Sequence, residues 1–91
     1  MDRSIIVTGA GSGIGEAIAR SAADAGYRVG VLDIDGQAAA SVAATLPGAV
    51  ALEAAVNDPA QVDAALATFG TPDALVNNAG VQHVAPIDQF P

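Results

Sequence analysis

Apolar residues run along this chain in two rhythms. Short, nearly unbroken runs occur at Ile5-Ile6-Val7, at Val29-Gly30-Val31-Leu32 and at Ala74-Leu75-Val76. Runs of that length, bounded by turn residues, read as strands with both faces buried. Between them the apolar positions recur at helical spacing: Ile14, Ile18, Ala22 and Ala25; Ala38, Val42 and Leu46; Val62, Ala65, Leu66 and Phe69. The pattern predicts strands at 4–8, 28–33, 49–55 and 73–77, and helices at 14–25, 36–46 and 59–69. Punctuation agrees. Gly26 suits a helix C-terminus, Pro47-Gly48 a stop, and Gly70 another. Asp58 can cap the third helix, Pro59 suits its first position, and Gln61 can complete a capping box.

Strands that alternate with helices pair in parallel and are joined by right-handed crossovers. The expected fold is α/β, a doubly wound, Rossmann-like parallel sheet of order 3-2-1-4, and only the N-terminal half of such a fold. Ligands of these sheets bind beyond the C-terminal ends of the strands. Residues 9–15, Asp33, Val56 and Asn78 all fall at that edge. The chain's 91 residues allow one domain with a modest core. No internal repeat, linker or low-complexity tract interrupts it.

Composition narrows the chemistry. Aromatic residues are 3% against 52% apolar, so the core is built from Ala, Val, Ile and Leu. The net charge of -7, with three Arg and no Lys, argues against nucleic acid and anionic membranes as partners. It also leaves no basic patch for an anion. The absence of cysteine removes disulfides, thiolate nucleophiles and Cys-based metal sites. With no long apolar span and no signal-peptide pattern, a cytoplasmic location is expected.

The chemistry concentrates in residues 8–15, Thr-Gly-Ala-Gly-Ser-Gly-Ile-Gly, set between the first strand and the first helix. Glycines permit a sharp turn and close approach of an anion. The free amides and positive dipole end of the following helix then face it. The spacing is T-G-x-x-x-G-x-G and not G-x-G-x-x-G, because Ile14 stands where the last glycine would be. Asp33 follows Gly13 by 20 positions, at the tip of the second strand. An acid there accepts hydrogen bonds from an adenosine ribose; the alternative is an ordinary strand-end carboxylate.

A third element, Asn77-Asn78-Ala79-Gly80, closes the pattern. With Thr8-Gly9, Gly13-Ile14-Gly15 and Asp33 it resembles the short-chain dehydrogenase/reductase family. The resemblance covers nearly all of this chain but only the first part of a typical member. It implies an oxidoreductase that moves hydride between a nicotinamide cofactor and an alcohol or carbonyl of a small-molecule substrate. It implies cofactor contacts at Gly9, Gly11, Ser12, Gly13, Ile14, Gly15, Asp33, Val56, Asn78, Ala79 and Gly80. NAD is expected over NADP, because Asp33 would repel a 2′-phosphate and neither Ile34 nor Ser12 is basic. The run from Asn77 to Ile87, with Phe90-Pro91, is similar to bacterial 3-hydroxybutyrate dehydrogenases. There Gln82 would help hold the substrate carboxylate; a solvated loop glutamine is the alternative. His83 has no Ser or Cys partner pattern and reads as a surface or loop residue, and Tyr27 as packing.

Two departures from the family stand out. Ala55 occupies a position that usually carries an Asp contacting adenine, so the Val56 backbone is left to meet the ring. The family's Ser and Tyr-x-x-x-Lys would lie beyond residue 91, and this chain has no Lys. No catalytic residue is expected within 1–91. The segment is expected to be the dinucleotide-binding part of a single Rossmann-like domain, apparently truncated. It would be completed by the rest of the same protein, or assembled as a homo-oligomer. A non-catalytic NAD-binding module, or a dehydrogenase for an unrelated alcohol, are the other readings.

Overall fold

A computed structural model describes residues 3–78. The elements run β1 (Ser4–Thr8), α1 (Gly13–Asp24), β2 (Arg28–Asp33), α2 (Gly36–Ala43), β3 (Val50–Glu53), α3 (Pro59–Phe69) and β4 (Ala74–Val76). The sheet has the expected order, β3-β2-β1-β4, with every pairing parallel.

Two cores follow from strand alternation. Ile5 and Val7 of β1 and Val29 and Val31 of β2 face α1 and α2, meeting Ala19, Ala39, Val42 and Ala43. Ile6 and Leu32 face the other way, toward Ala65 and Phe69 of α3. Helices thus cover both sides of the sheet, and its central strands are apolar on both faces. Gly30 sits in the middle of β2, where an added Cβ would stand 3.1 Å from the Phe69 ring and 3.0 Å from Ile6 and Leu52. The missing side chain is the space that the Phe69 ring uses.

The ends of the elements differ from expectation in instructive ways. α1 closes in a Schellman arrangement: Tyr27 N–H donates to Ala22 O and Gly26 N–H to Ala23 O, with Gly26 at φ +94°. Tyr27 packs against the first core. The buried face of α1 is turned from the predicted one. Gly15 and Ala19 are buried, Ile18 packs against the core, and Ile14 is 58% exposed. α2 ends at Ala43, three residues early, yet Leu46 remains buried through the following turn.

Asp58 caps α3 as expected, accepting from the Ala60 and Gln61 amides. Gln61 does not complete a capping box. Its Nε2 donates to the Asp58 carboxylate (3.0 Å), and its Oε1 accepts the Ala55 N–H (2.8 Å). The Asp58 N–H goes instead to Ala55 O. Gln61 therefore ties down the loop between β3 and α3. At the far end of α3, Arg28 donates to Phe69 O (3.0 Å), with its guanidinium 4.1 Å from the Phe69 ring centroid.

Candidate functional site

The loop from Gly9 to Ser12 leaves β1 at the C-terminal edge of the sheet and turns directly into α1. Gly9 and Gly13 take φ +63° and +61°, the left-handed region that glycine enters without cost. Gly15 answers a different demand. A Cβ there would overlap the Gly9 carbonyl and lie 2.8 Å from the Asn78 amide nitrogen. The first turn of α1 is pressed against its own loop and against the end of β4.

The three helices begin differently. Asp35 caps α2 and Asp58 caps α3 through their carboxylates, whereas the Ser12 side chain caps nothing at α1. The first-turn acid of α1, Glu16, is paired with Arg20 at 2.7 Å, and Arg20 also donates to Thr45 Oγ1. The α1 N-terminus thus presents backbone amides and the positive end of a dipole at a glycine turn, an arrangement suited to an anion. No arginine contributes. Arg20 and Arg28 are engaged elsewhere, and Arg3 precedes β1 at the opposite edge of the sheet.

Asp33 ends β2 beside this loop. Its Oδ2 accepts the Gly11 N–H at 2.9 Å and its Oδ1 the Asp35 N–H at 3.0 Å. An added Cβ at Gly11 would stand 2.9 Å from Asp33 Oδ2 and 2.7 Å from the Ala38 Cβ. Gly11 is therefore also the point where the loop packs on Asp33 and α2. Each carboxylate oxygen keeps a lone pair for a further donor.

A cavity of about 320 Å³ opens between the ends of β2 and β3, lined by Gly9, Asp33, Ile34 and Val56 among others. Ile34 and Val56, which line it, are 71% and 41% exposed. On the other side of the loop, Thr8 Oγ1 accepts the Asn78 N–H (2.9 Å) and lies 3.1 Å from Asn77 Oδ1. Asn78 Nδ2 reaches Gly9 O at 3.4 Å. Thr8 thereby joins the ends of β1 and β4.

Gly9, Gly11, Ser12, Gly13, Ile14, Gly15, Asp33, Val56 and Asn78 stand together along one sheet edge, linked by these bonds and this cavity. Ala79, Gly80, Gln82 and His83 lie outside the described residues. Two residues that spacing did not single out also stand here. Asn57 lines the cavity, and Gln61 holds the loop that carries Ala55 and Val56. Gln61 is visible in the sequence only as a helix-capping residue. Among the described residues, no group of three or more His, Asp or Glu is placed to hold a metal. Nor is any described helix long and apolar enough to cross a membrane.

Residues 3–91 match the model of the short chain dehydrogenase family. D-threitol dehydrogenase of Mycolicibacterium smegmatis is 40% identical over 93% of this chain and 36% of its own length. D-beta-hydroxybutyrate dehydrogenase of Rhizobium meliloti is 38% identical over 100% of this chain and 39% of its own length. A solved 3-ketoacyl-(acyl-carrier-protein) reductase from Brucella melitensis, complexed with NADH, superposes with a TM-score of 0.75 at 41% identity, covering 89% of this chain and 35% of that one. The chain thus spans little more than a third of the length of these relatives. A family match over nearly the whole chain, on a sheet of the same kind, leads to one assignment: the chain belongs to the short-chain dehydrogenase family of oxidoreductases.

Proposed function

We propose that this chain supplies the cofactor-binding part of an NAD-dependent oxidoreductase. The observation that carries this reading is the seating of Asp33. Its carboxylate hangs from the Gly11 amide, next to a helix N-terminus that no side chain caps. Pyrophosphate oxygens suit the free first-turn amides after Gly13, and ribose hydroxyls suit the remaining lone pairs of Asp33. Gly15, which admits no Cβ, keeps the loop and helix close enough for that backbone approach. The cavity beside Ile34 and Val56 then takes the base.

NAD is preferred on charge. A 2′-phosphate would meet the Asp33 carboxylate with Ile34 next in sequence and no arginine at hand. The cofactor supplies hydride acceptance or donation. This chain's residues bind and orient it: backbone amides toward the phosphates, Asp33 toward the ribose, Asn78 and Thr8 holding the loop to β4. The proton-transfer groups of the family, a Tyr assisted by a Lys, are assigned to the remainder of the protein.

For the substrate we favour a small 3-hydroxy acid such as 3-hydroxybutyrate, with the neutral Gln82 amide donating to its carboxylate. The 38% identical relative named D-beta-hydroxybutyrate dehydrogenase supports this choice. The relative named D-threitol dehydrogenase favours a second reading, a polyol substrate. Steady-state turnover of the full-length protein on both substrates, with NAD and NADP in turn, tests the function. Exclusive use of NADP would refute the cofactor assignment.

A further inference from the structure

Among the described residues whose side chains line the cavity between β2 and β3, only Asp33 and Asn57 are polar. Both oxygens of Asp33 already receive a backbone amide. The N–H of Ala55 at the cavity's edge is taken by Gln61. The Asn57 side chain makes no hydrogen bond among the described residues. It is exposed, and it sits on a loop anchored on both sides. Gln61 fixes Ala55 before it, and Asp58, next in sequence, caps α3. A side chain carried by anchored backbone loses little freedom when it engages a ligand.

We propose that Asn57 selects the base of the dinucleotide, its side-chain amide taking the 6-amino group of adenine. This rests on the reading of the sheet edge as the dinucleotide site. Ile34 and Val56 offer the base apolar surface but no hydrogen bond from a side chain. Asn57 provides both an acceptor and a donor, the combination that an amide uses to pair with adenine's amino group and neighbouring ring nitrogen. Among the described lining side chains the other acceptor is Asp33, whose remaining lone pairs are assigned to the ribose.

The test deletes one partner at a time. In the full-length protein, AMP and purine riboside 5′-monophosphate, which lacks only the 6-amino group, compete against NADH followed by its fluorescence. Wild type should prefer AMP by about five- to tenfold, the value of one hydrogen bond in a partly exposed site. Asn57 is not in the left-handed region, so alanine fits its backbone. Asn57→Ala should bring the two ligands within about twofold, and Asn57→Asp, which keeps an acceptor, should retain most of the preference. A preference unchanged in Asn57→Ala overturns the proposal and leaves the dinucleotide reading standing. Failure of wild type to bind NADH or AMP overturns both.

Discussion

The Gly11 amide donates to Oδ2 of Asp33 across 2.9 Å, joining the glycine loop to the end of β2. The bond couples two parts of the proposed nucleotide site that lie 22 residues apart in sequence.

Cofactor choice should follow from that carboxylate. A 2′-phosphate next to Asp33 faces like charge without a counterion, a penalty of several kcal/mol. NAD should therefore bind the full-length protein at least about a hundredfold more tightly than NADP. Asp33→Ala should narrow the gap to about tenfold or less while weakening NAD itself. Calorimetric titration of both cofactors into both proteins decides the matter; equal narrowing from an Ile34→Ala control would point away from charge.

Gly15 and Gly13 should respond differently to alanine. At Gly15 the new methyl group meets the Gly9 carbonyl and the Asn78 side chain, so backbone must shift. Overpacking of that kind costs about 1–3 kcal/mol or more. At Gly13 nothing lies within 4 Å, and only the φ of +61° resists. That strain costs about 1–2 kcal/mol. Thermal unfolding should show Gly15→Ala as the more damaging change, and NADH binding should fall further for it as well. The reverse order would mean that the loop and α1 are not packed as described.

Arg28 should contribute to stability from outside the site. Its guanidinium lies over the Phe69 ring and also donates to Phe69 O, the last carbonyl of α3. Arg28→Met keeps much of the apolar stem but loses both interactions, for about 1–2 kcal/mol. The melting temperature should drop, with cofactor affinity unchanged within about twofold.

Gln82 should matter to substrate and not to cofactor. Gln82→Ala in the full-length enzyme should raise KM for a 3-hydroxy acid about tenfold, which corresponds to ~1.4 kcal/mol. Affinity for NAD should hold within about twofold. Unaltered KM, or turnover of polyols alone, would remove the hydroxy-acid assignment without touching the family.

Residues 1–91 expressed alone should associate and should show no NAD-linked turnover. Among the described residues β4 is an edge strand, although Val76 is buried in one core and Leu75 packs on the other. Beside it, an apolar groove of about 300 Å³ runs past Leu66, Pro72 and Leu75. An edge strand flanked by apolar surface invites pairing with another chain. Sedimentation checks the first expectation; a stable monomer would contradict it. Dehydrogenase activity from this segment alone would place the chemistry within residues 1–91.

The order of elements, the parallel sheet and its 3-2-1-4 arrangement were legible in the residues themselves. Apolar runs such as Ile5-Ile6-Val7 need cover on both faces, and alternating helices provide it only in a doubly wound sheet. The T-G-x-x-x-G-x-G spacing and Asp33 were likewise enough to locate the candidate site at one sheet edge. Tertiary structure decided the contacts. Helical periodicity tells which residues share a face, not how far the helix is turned toward the sheet. That turn is set by Gly15, whose lack of a Cβ lets α1 settle on the Gly9 carbonyl, burying Ala19 and leaving Ile14 exposed. Gln61 matched a capping box by position, but the Ala55 amide, brought near by the end of β3, takes its oxygen instead. The Gly11–Asp33 bond depends in the same way on two segments meeting in space, which no local spacing records.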